Sequence, residues 1–262
     1  MYARVLACAA CTLLTVTPCA GQALPVLDAW VASPTEQADA LYFAGRPEKA
    51  FDLLQIHVED APDDYGALWR MVRSAFVLGD AEEGWRRQNP WLDLGMHLGD
   101  QAVALRPDGI EGRYWRGAVT GRRALNAAPE YGAELAQRAY EDANAILAVD
   151  PDHGGAHNIL GRIFFEVMSM SRIERWIGKA FMRTDVLDAS SWEAAELHLE
   201  AAAKDWPDWV PFQYDLARLY RKRGRDEDAR EVYQHVTQMP AIHPLDPVLQ
   251  LEAERALEEL GD

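Results

Sequence analysis

A recurring spacing of small and large side chains restricts what this chain can fold into more than any other feature. The clearest copy spans residues 210–239 and ends just before Pro240. The marked positions of this copy are Leu216, Ala217, Tyr220, Gly224, Ala229, Tyr233 and Val236. Small residues at such spacings let two antiparallel helices touch, and large ones fill the layer between neighbouring helix pairs. The spacing therefore predicts a helical hairpin with a glycine at its turn.

The same spacing recurs upstream and divides the chain into five units. The first helices open near residues 38, 68, 112, 157 and 210, and the second helices end before Pro62, Pro107, Pro151, Pro207 and Pro240, since a proline cannot continue a helix. Units of about 34 residues with this spacing are typical of tetratricopeptide repeats, and residues 246–260 have the pattern of a capping helix. No stretch alternates at period two for long enough to suggest a sheet. We therefore predict an all-α tetratricopeptide-type solenoid of helical hairpins with insertions and a C-terminal capping helix.

Three of the predicted units are longer than the usual repeat. Extra residues lie around 84–95 in the second unit and around 126–132 in the third, and the main insertion spans residues 167–191 of the fourth. Insertions in solenoids fall in loops or lengthen helices on one face, and that face is often the binding face.

The main insertion contains a basic amphipathic segment. Ile173, Trp176, Ile177, Ala180 and Phe181 share one helical face, while Arg172, Arg175, Lys179 and Arg183 lie largely on another. Such a segment is able to touch an anionic membrane or a partner. The alternative is that Trp176 and Phe181 pack under the repeats, and we favour it because apolar stripes usually belong to a core.

The N-terminal residues have the pattern of a secretory signal peptide. A short basic start precedes an apolar run and a small-residue end, and the first acidic residue is Asp28. We therefore predict a signal peptide at residues 1–23, a single domain at residues 24–262, and a periplasmic or secreted location. A mitochondrial presequence is the alternative, but such a presequence needs several arginines, and this N-terminal segment contains only Arg4.

All three cysteines of the chain, Cys8, Cys11 and Cys19, lie within the predicted signal peptide. After cleavage the mature protein would contain no thiol, and hence no disulfide, cysteine metal site or cysteine nucleophile. Anchoring through a lipidated Cys19 is a minority interpretation, because Pro18 stands where a lipoprotein signal needs a small residue.

Several segments resemble the regulator of microtubule dynamics family, whose members are tetratricopeptide-like. The likeness is strongest over residues 160–181, which read LGRIFFEVMSMSRIERWIGKAF, and continues through residues 192–195 and 199–204. Weaker likenesses lie at residues 38–42 with Gly45 and at residues 64–70. The resemblance implies a helical adaptor. We do not extend microtubule binding to this chain, because an exported bacterial protein would meet no tubulin.

The first helix of each unit supplies the predicted ligand groove. In tetratricopeptide arrays these helices line the concave side, and inward positions one turn apart share a face. The predicted groove residues are Trp69, Arg73, Tyr114, Arg122, Asn158, Arg162, Tyr214, Arg218, Arg221 and Lys222. Guanidinium groups suit carboxylates and flat aromatics suit peptides or rings, so we expect an anionic partner. The alternative is that these arginines pair with Asp and Glu of neighbouring helices, as surface charges often do.

Nothing in the sequence carries a recognisable catalytic or cofactor motif. His153 and His157 are four residues apart beside Asp150 and Asp152, a spacing that suits a metal. We interpret His153 as part of a turn and His157 as a core residue, and the other five histidines as isolated. The carboxylates have the pattern of solvated faces. No nucleophile elbow or phosphate-binding loop occurs, so we predict no enzyme activity, no cofactor and no metal.

Two classes of function follow. The first is an exported adaptor that binds a protein or peptide in the basic and aromatic groove. The second is a periplasmic accessory of a transport system that binds a small carboxylate; a membrane-peripheral scaffold is a weaker alternative. The net charge of −16 argues against a nucleic-acid partner. A wide groove favours the adaptor, and a closed pore or deep pocket favours the ligand-binding accessory.

Overall fold

The computed structural model describes residues 32–171 and 185–261. This part of the chain contains helices and no strand. The helices are α1 (Pro34–Phe43), α2 (Pro47–Asp60), α3 (Tyr65–Ala81), α4 (Trp85–Leu105), α5 (Ile110–Ala124), α6 (Pro129–Leu147), α7 (Gly154–Ser169), α8 (Asp185–Ala189), α9 (Trp192–Asp205), α10 (Val210–Lys222), α11 (Asp226–Gln238) and α12 (Asp246–Gly261). The predicted signal peptide and both faces of the amphipathic segment at 172–183 lie outside the described residues.

Ten of these helices pair into hairpins. The pairs are α1 with α2, α3 with α4, α5 with α6, α7 with α9, and α10 with α11. The first helices also contact one another along the array, α1 with α3, α3 with α5, α5 with α7, and α7 with α10. Helix α12 packs on α10 and α11. The predicted all-α repeat fold with a terminal capping helix is confirmed.

Local capping decides where several helices begin. Ser33 and Glu36 form a reciprocal capping box at α1, and the side chains of Asp64 and Ser191 each accept a hydrogen bond from a backbone N–H of the following turn. His153 has the same role at α7, where its Nδ1 accepts from Ala156 N at 3.0 Å. These side chains satisfy N–H groups that have no partner inside the helix. His153 therefore lies at a turn, as its sequence position predicts.

The glycine and alanine positions of the repeat are close contacts between helices. In the fourth hairpin, a Cβ added to Gly161 would lie 2.6 Å from Leu199 Cγ. At the turns of the first and last hairpins, Gly45 and Gly224 have φ values of 71° and 72°, a conformation that other residues rarely adopt. The small residues of the pattern thus set how closely the paired helices approach.

The two shorter insertions lengthen or connect helices. Residues 84–95 form the first half of α4, which continues through Pro90, and residues 126–132 form the α5–α6 connection and the start of α6. Of the main insertion, the described parts are the end of α7 and the short helix α8. None of the helices in the described ranges is both long enough and apolar enough to cross a bilayer.

The first and last parts of the array touch each other. Tyr42 in α1 is hydrogen bonded through its hydroxyl to Nε2 of His243, which lies in the connection before α12. The ring of His243 lies 5.2 Å from that of Trp209 at the start of α10. Trp209 contacts Trp206, and Trp206 contacts Tyr114 of α5, with ring centroids 5.6 Å and 6.0 Å apart. This line of rings joins the first hairpin to the third and fifth.

Candidate functional site

The predicted groove residues of the second and third hairpins divide between interior and ion-paired positions. Arg73 is buried, its guanidinium 3.9 Å from the centre of the Tyr42 ring and 2.6 Å from Asp39. Tyr114 is buried against Trp206, and Trp69 is half-buried. The prediction that Arg73 and Tyr114 line an open groove is therefore wrong, because the protein's own side chains surround both.

The middle of this face is a ladder of charges that pair across neighbouring first helices. Arg122 in α5 forms an ion pair with Asp80 of α3. Asp215 in α10 is buried and accepts a hydrogen bond from Asn158 of α7 at 3.0 Å, with Arg162 Nε 3.7 Å away. Asn158 is buried as well, so it is inaccessible to a ligand. Arg122 and Arg162 therefore pair with aspartates of neighbouring helices, which was the alternative to a ligand-binding role for these arginines.

The pKa values of Arg162 and Arg73 shift in opposite directions, because neighbouring charges dominate at the first and burial dominates at the second. Asp215 raises the pKa of Arg162, with smaller contributions from Asp80 and Glu166. Burial lowers the pKa of Arg73, although its hydrogen bond with Asp39 partly compensates. Both guanidinium groups remain charged, since an arginine titrates far above neutral pH. Their charges are engaged by the protein's own carboxylates.

The last four predicted residues lie together in an open pocket of about 680 Å³ between α7, α10, α11 and α12. Its aromatic lining is Phe165, Tyr214 and Tyr233; its cations are Arg218, Arg221, Lys222 and Arg255; and its carboxylates are Glu166, Glu252 and Glu259. Four cations face three anions in a chain whose net charge is −16. We name this site the C-terminal pocket.

Helix α12 contributes its acidic side chains to the C-terminal pocket. Tyr214 donates a hydrogen bond to Glu252 at 2.7 Å, and Arg221 forms an ion pair with Glu259. Burial, followed by the contact with Glu252, raises the pKa of Tyr214. Arg218 lies 3.7 Å from Glu166 and over the ring of Phe165. These contacts show how the pocket holds carboxylates: through the Tyr214 hydroxyl and through guanidinium groups, of which Arg218 lies over an aromatic ring.

Two cations of the C-terminal pocket do not pair with a carboxylate in the described ranges. Lys222 and Arg255 are exposed, and neither forms an ion pair with any residue in the described ranges. An exposed cation beside an aromatic wall is available to an anion that arrives from outside. Arg255 was absent from the sequence prediction, because residues 246–260 were interpreted only as a cap.

Four of the five histidines predicted to be isolated have close partners, and two of these partnerships join distant parts of the chain. His198 Nδ1 lies 2.8 Å from Nδ1 of His157, and His157 Nε2 lies 2.9 Å from the carbonyl oxygen of Pro151. His243 contacts Tyr42 and Trp209. These side chains lie far apart in sequence, so their spacing gave no signal. Within the described ranges no three His, Cys, Asp or Glu side chains are grouped as a metal would need.

The interpretation of the carboxylates as solvated faces fails at three aspartates. Asp142, Asp215 and Asp246 are buried. Asp142 accepts hydrogen bonds from Arg113 at 3.2 Å and from Arg116 Nε at 2.8 Å. Arginines one helical turn apart recur at Arg70 and Arg73, which share Asp39. That spacing places the two arginines on one helical face, but which carboxylate they share depends on how the neighbouring helix packs.

Comparison with known proteins agrees with this architecture. The family model described as Regulator of microtubule dynamics protein 1-3 matches residues 35–261, whereas no curated protein matches. The thermophilic TPR protein TTC0263 of Thermus thermophilus is 21% identical, with a TM-score of 0.63 over 86% of this chain and 97% of that chain. This likeness supports the tetratricopeptide fold.

Two further solved structures are more distant. MamA 41-end from Desulfovibrio magneticus RS-1 is 16% identical, with a TM-score of 0.44 over 86% of this chain and 97% of its own. The human IFIT1 dimer with PPP-AAAA is 20% identical, with a TM-score of 0.47 over 85% of this chain and 52% of its own. The repeat fold typically serves protein–protein interaction, and the family match points to the same non-catalytic role. The match across residues 35–261 shows that this chain belongs to the regulator of microtubule dynamics family.

Proposed function

We propose that this protein is an exported, non-enzymatic adaptor that holds an anionic segment of a protein partner in the C-terminal pocket. The observation that carries the proposal is the pair of exposed, unengaged cations Lys222 and Arg255 beside the aromatic wall of Tyr214 and Phe165. The fold and the family favour a protein as the partner. The cations favour an anionic segment of that partner.

The C-terminal pocket already binds carboxylates within the same chain. Glu252 of α12 accepts a hydrogen bond from Tyr214, and Glu259 of α12 forms an ion pair with Arg221. An incoming carboxylate therefore meets the two cations without an ion pair, Lys222 and Arg255, first. Arg218 is weakly paired, because its contacts with carboxylates are long, 3.4 Å to Asp215 and 3.7 Å to Glu166. We expect modest affinity that falls as salt rises, because exposed charges are screened.

The decisive experiment reverses the two unengaged cations. We expect the Lys222→Glu and Arg255→Glu double variant to lose the partner that the tagged wild-type protein retains in affinity purification from its native envelope. The matched control is the Arg46→Glu and Lys49→Glu double variant, because both side chains are exposed on the first hairpin, do not line the C-terminal pocket and form no ion pair in the described ranges. Mass spectrometry quantifies each co-purified species.

Three outcomes are distinguishable. Loss of a species in the pocket variant alone supports the proposal. Equal loss in both double variants points to nonspecific charge attraction and contradicts it, and so does retention in both while circular dichroism shows folded protein.

A small carboxylate ligand is the second candidate, and the contact between Tyr42 and His243 favours it. That contact and the rings beside it fill part of the interior of the repeat array, which favours a compact ligand over a long extended segment. Calorimetric titration of citrate into the wild type and into the two double variants separates the candidates. Citrate binding that the pocket variant abolishes, without any co-purified protein, assigns the site to a small acid.

Export is part of the proposal and rests on the pattern of residues 1–23. Fusing residues 1–31 to alkaline phosphatase tests it, because the enzyme is active only outside the cytoplasm. Activity at the level of an established secreted fusion supports export, and cytoplasmic inactivity contradicts it.

A further inference from the structure

The extra residues of the second and third units meet at one place on the surface. Trp85 and Asn89 come from the first turns of α4, and residues 125–128 form the connection from α5 to α6. With Tyr131 and Arg123 they line an open pocket of about 480 Å³, which we name the insertion pocket. Both segments come from the lengthened parts of the second and third units, and their exposed ends meet here.

The insertion pocket leaves large apolar side chains exposed. Trp85 is 55% exposed, Leu125 is 48% exposed and Tyr131 is 42% exposed. Burying such side chains against a partner is favourable by about 25 cal/mol for each Å² removed from water. Exposed apolar side chains that cluster beside polar ones mark interaction sites more often than single exposed residues do.

The floor of the insertion pocket is held in place. Asn126 Nδ2 donates to Gln88 Oε1 at 2.8 Å and to Asn89 Oδ1 at 3.1 Å, and Gln88 Nε2 donates to the carbonyl oxygen of Glu82 at 2.8 Å. These bonds fix the connection against the start of α4. A partner would therefore lose little free energy in ordering the site before it binds.

Among the described residues, the only charged side chain that lines the insertion pocket is Arg123. Its Nε donates to Asp93 at 2.8 Å, and its guanidinium carbon lies 5.5 Å from the centre of the Tyr131 ring. Its Nη1 is shielded from solvent and has no hydrogen-bond partner in the described parts of the chain. The Arg123 side chain is 12% exposed, and a carboxylate that reorients it recovers free energy at this nitrogen, because an unpaired buried donor is costly.

We infer that the insertion pocket is a second docking site, for a partner-protein segment that places a large apolar side chain beside a carboxylate. The apolar side chain meets Trp85, Leu125 and Tyr131, and the carboxylate meets Arg123. Trp, Tyr and Arg are the residue types that dominate the energetics of protein interfaces. No acidic side chain of the described ranges lines the pocket, although the whole chain carries 42 acidic residues against 26 basic ones. The inference is independent of the C-terminal pocket.

A set of short peptides tests the inference on the full chain. The probe is acetyl-Gly-Trp-Glu-Gly amide, and its controls replace Glu by Gln or Trp by Ala. Carbon-13 methyl NMR follows the methyl groups of Leu125 and Ala127 during each titration. We expect the Trp-Glu peptide to shift both signals in a saturable way, with at least threefold weaker binding for each control.

Matched protein variants complete the test. Leu125→Glu removes an apolar wall and repels a carboxylate, so we expect it to abolish the shift of the Ala127 methyl. Leu105→Glu changes a leucine of similar exposure outside the pocket and leaves binding intact. Saturation that is equal for the Trp-Glu and Ala-Glu peptides, or absent for all of them, overturns the inference. Binding of N-acetyltryptophan but of no peptide overturns the assignment to a protein segment.

Discussion

At the scale of single residues, two neutral histidines lie at junctions of the fold. Burial and the neighbouring His157 lower the pKa of His198 to about 4. Burial and Arg73 lower the pKa of His243 to about 3. Because its Nδ1 accepts from Leu245 N, the neutral ring of His243 carries its proton on Nε2, which faces the Tyr42 hydroxyl. Protonating either ring places a charge in a buried or partly buried site, where the charged form is poorly solvated.

The His198 contact predicts a dependence of stability on pH. The unfolded side chain titrates near 6.5 and the folded one near 4, so between these values the unfolded state binds more protons. The free energy of unfolding should therefore fall as the pH falls from about 6.5 to 4. We expect His198→Gln to flatten this fall by on the order of 2 kcal/mol. Urea unfolding at several pH values measures the effect, with exposed His97→Gln as the control. An unchanged slope for His198→Gln would contradict the prediction.

The charge ladder is a second feature at the residue scale. Burial by itself would raise the pKa of Asp39, but hydrogen bonds from Arg70 and Arg73 outweigh it and hold the pKa below its usual value. These bonds join the first hairpin to the second, since Asp39 lies in α1 and both arginines lie in α3.

Removing the Asp39 charge should therefore leave the buried Arg73 guanidinium without its counter-charge. We expect Asp39→Asn to lower the free energy of unfolding by about 2 kcal/mol, toward the low end for a broken buried pair because Asp39 is 28% exposed. Glu83→Gln is the control, since Glu83 is 96% exposed in its pair with Arg87 and should change stability by less than about 0.5 kcal/mol. Equal effects in thermal or urea unfolding would refute this account.

At the scale of helices, the glycines within helices differ in how closely the facing helix approaches them. A Cβ at Gly161 would lie 2.6 Å from Leu199 Cγ and 3.0 Å from Leu199 N, which is backbone. A Cβ at Gly121 would have as its nearest neighbour the Cβ of Ala139, at 3.7 Å, an ordinary contact. Both glycines lie inside helices, so alanine lowers the conformational entropy of the unfolded chain equally in the two cases.

The two alanine variants should therefore change stability in opposite directions. We expect Gly161→Ala to destabilise the protein by about 1–3 kcal/mol, because α7 and α9 must move apart. We expect Gly121→Ala to stabilise it by about 0.5–1 kcal/mol. Urea unfolding of both variants measures the difference, and a stabilised Gly161→Ala variant would show that the fourth hairpin is looser than described.

At the scale of the whole molecule, the contact between Tyr42 and His243 separates this array from a simple linear repeat. In a linear array each repeat interacts with its neighbours alone, so a change in the first hairpin is not felt at the last. Here the hydroxyl of α1 reaches the connection before α12, and Asp246 Oδ2 fixes that connection by accepting from the backbone N–H groups of Ile242 and His243.

Removing the Tyr42 hydroxyl should loosen both ends together. We expect Tyr42→Phe to cost about 1–2 kcal/mol, because His243 Nε2 loses its buried partner. Hydrogen exchange should speed up in α12 as well as in α1. Tyr140→Phe is the matched control, since the Tyr140 hydroxyl makes no hydrogen bond in the described ranges. Acceleration confined to α1 would mean that the ends are not coupled.

The sequence by itself determined the helical hairpins, because small residues, turn glycines and terminal prolines act through local spacing. It also placed Tyr214, Arg218, Arg221 and Lys222 on one surface, since residues a turn apart on one helix share a face. Only the tertiary structure decided which charges are available. Arg73 and Arg122 pair with Asp39 and Asp80 on neighbouring helices, 34 and 42 residues away. Spacing along a single helix carries no information about such partners, because they depend on how the helices pack.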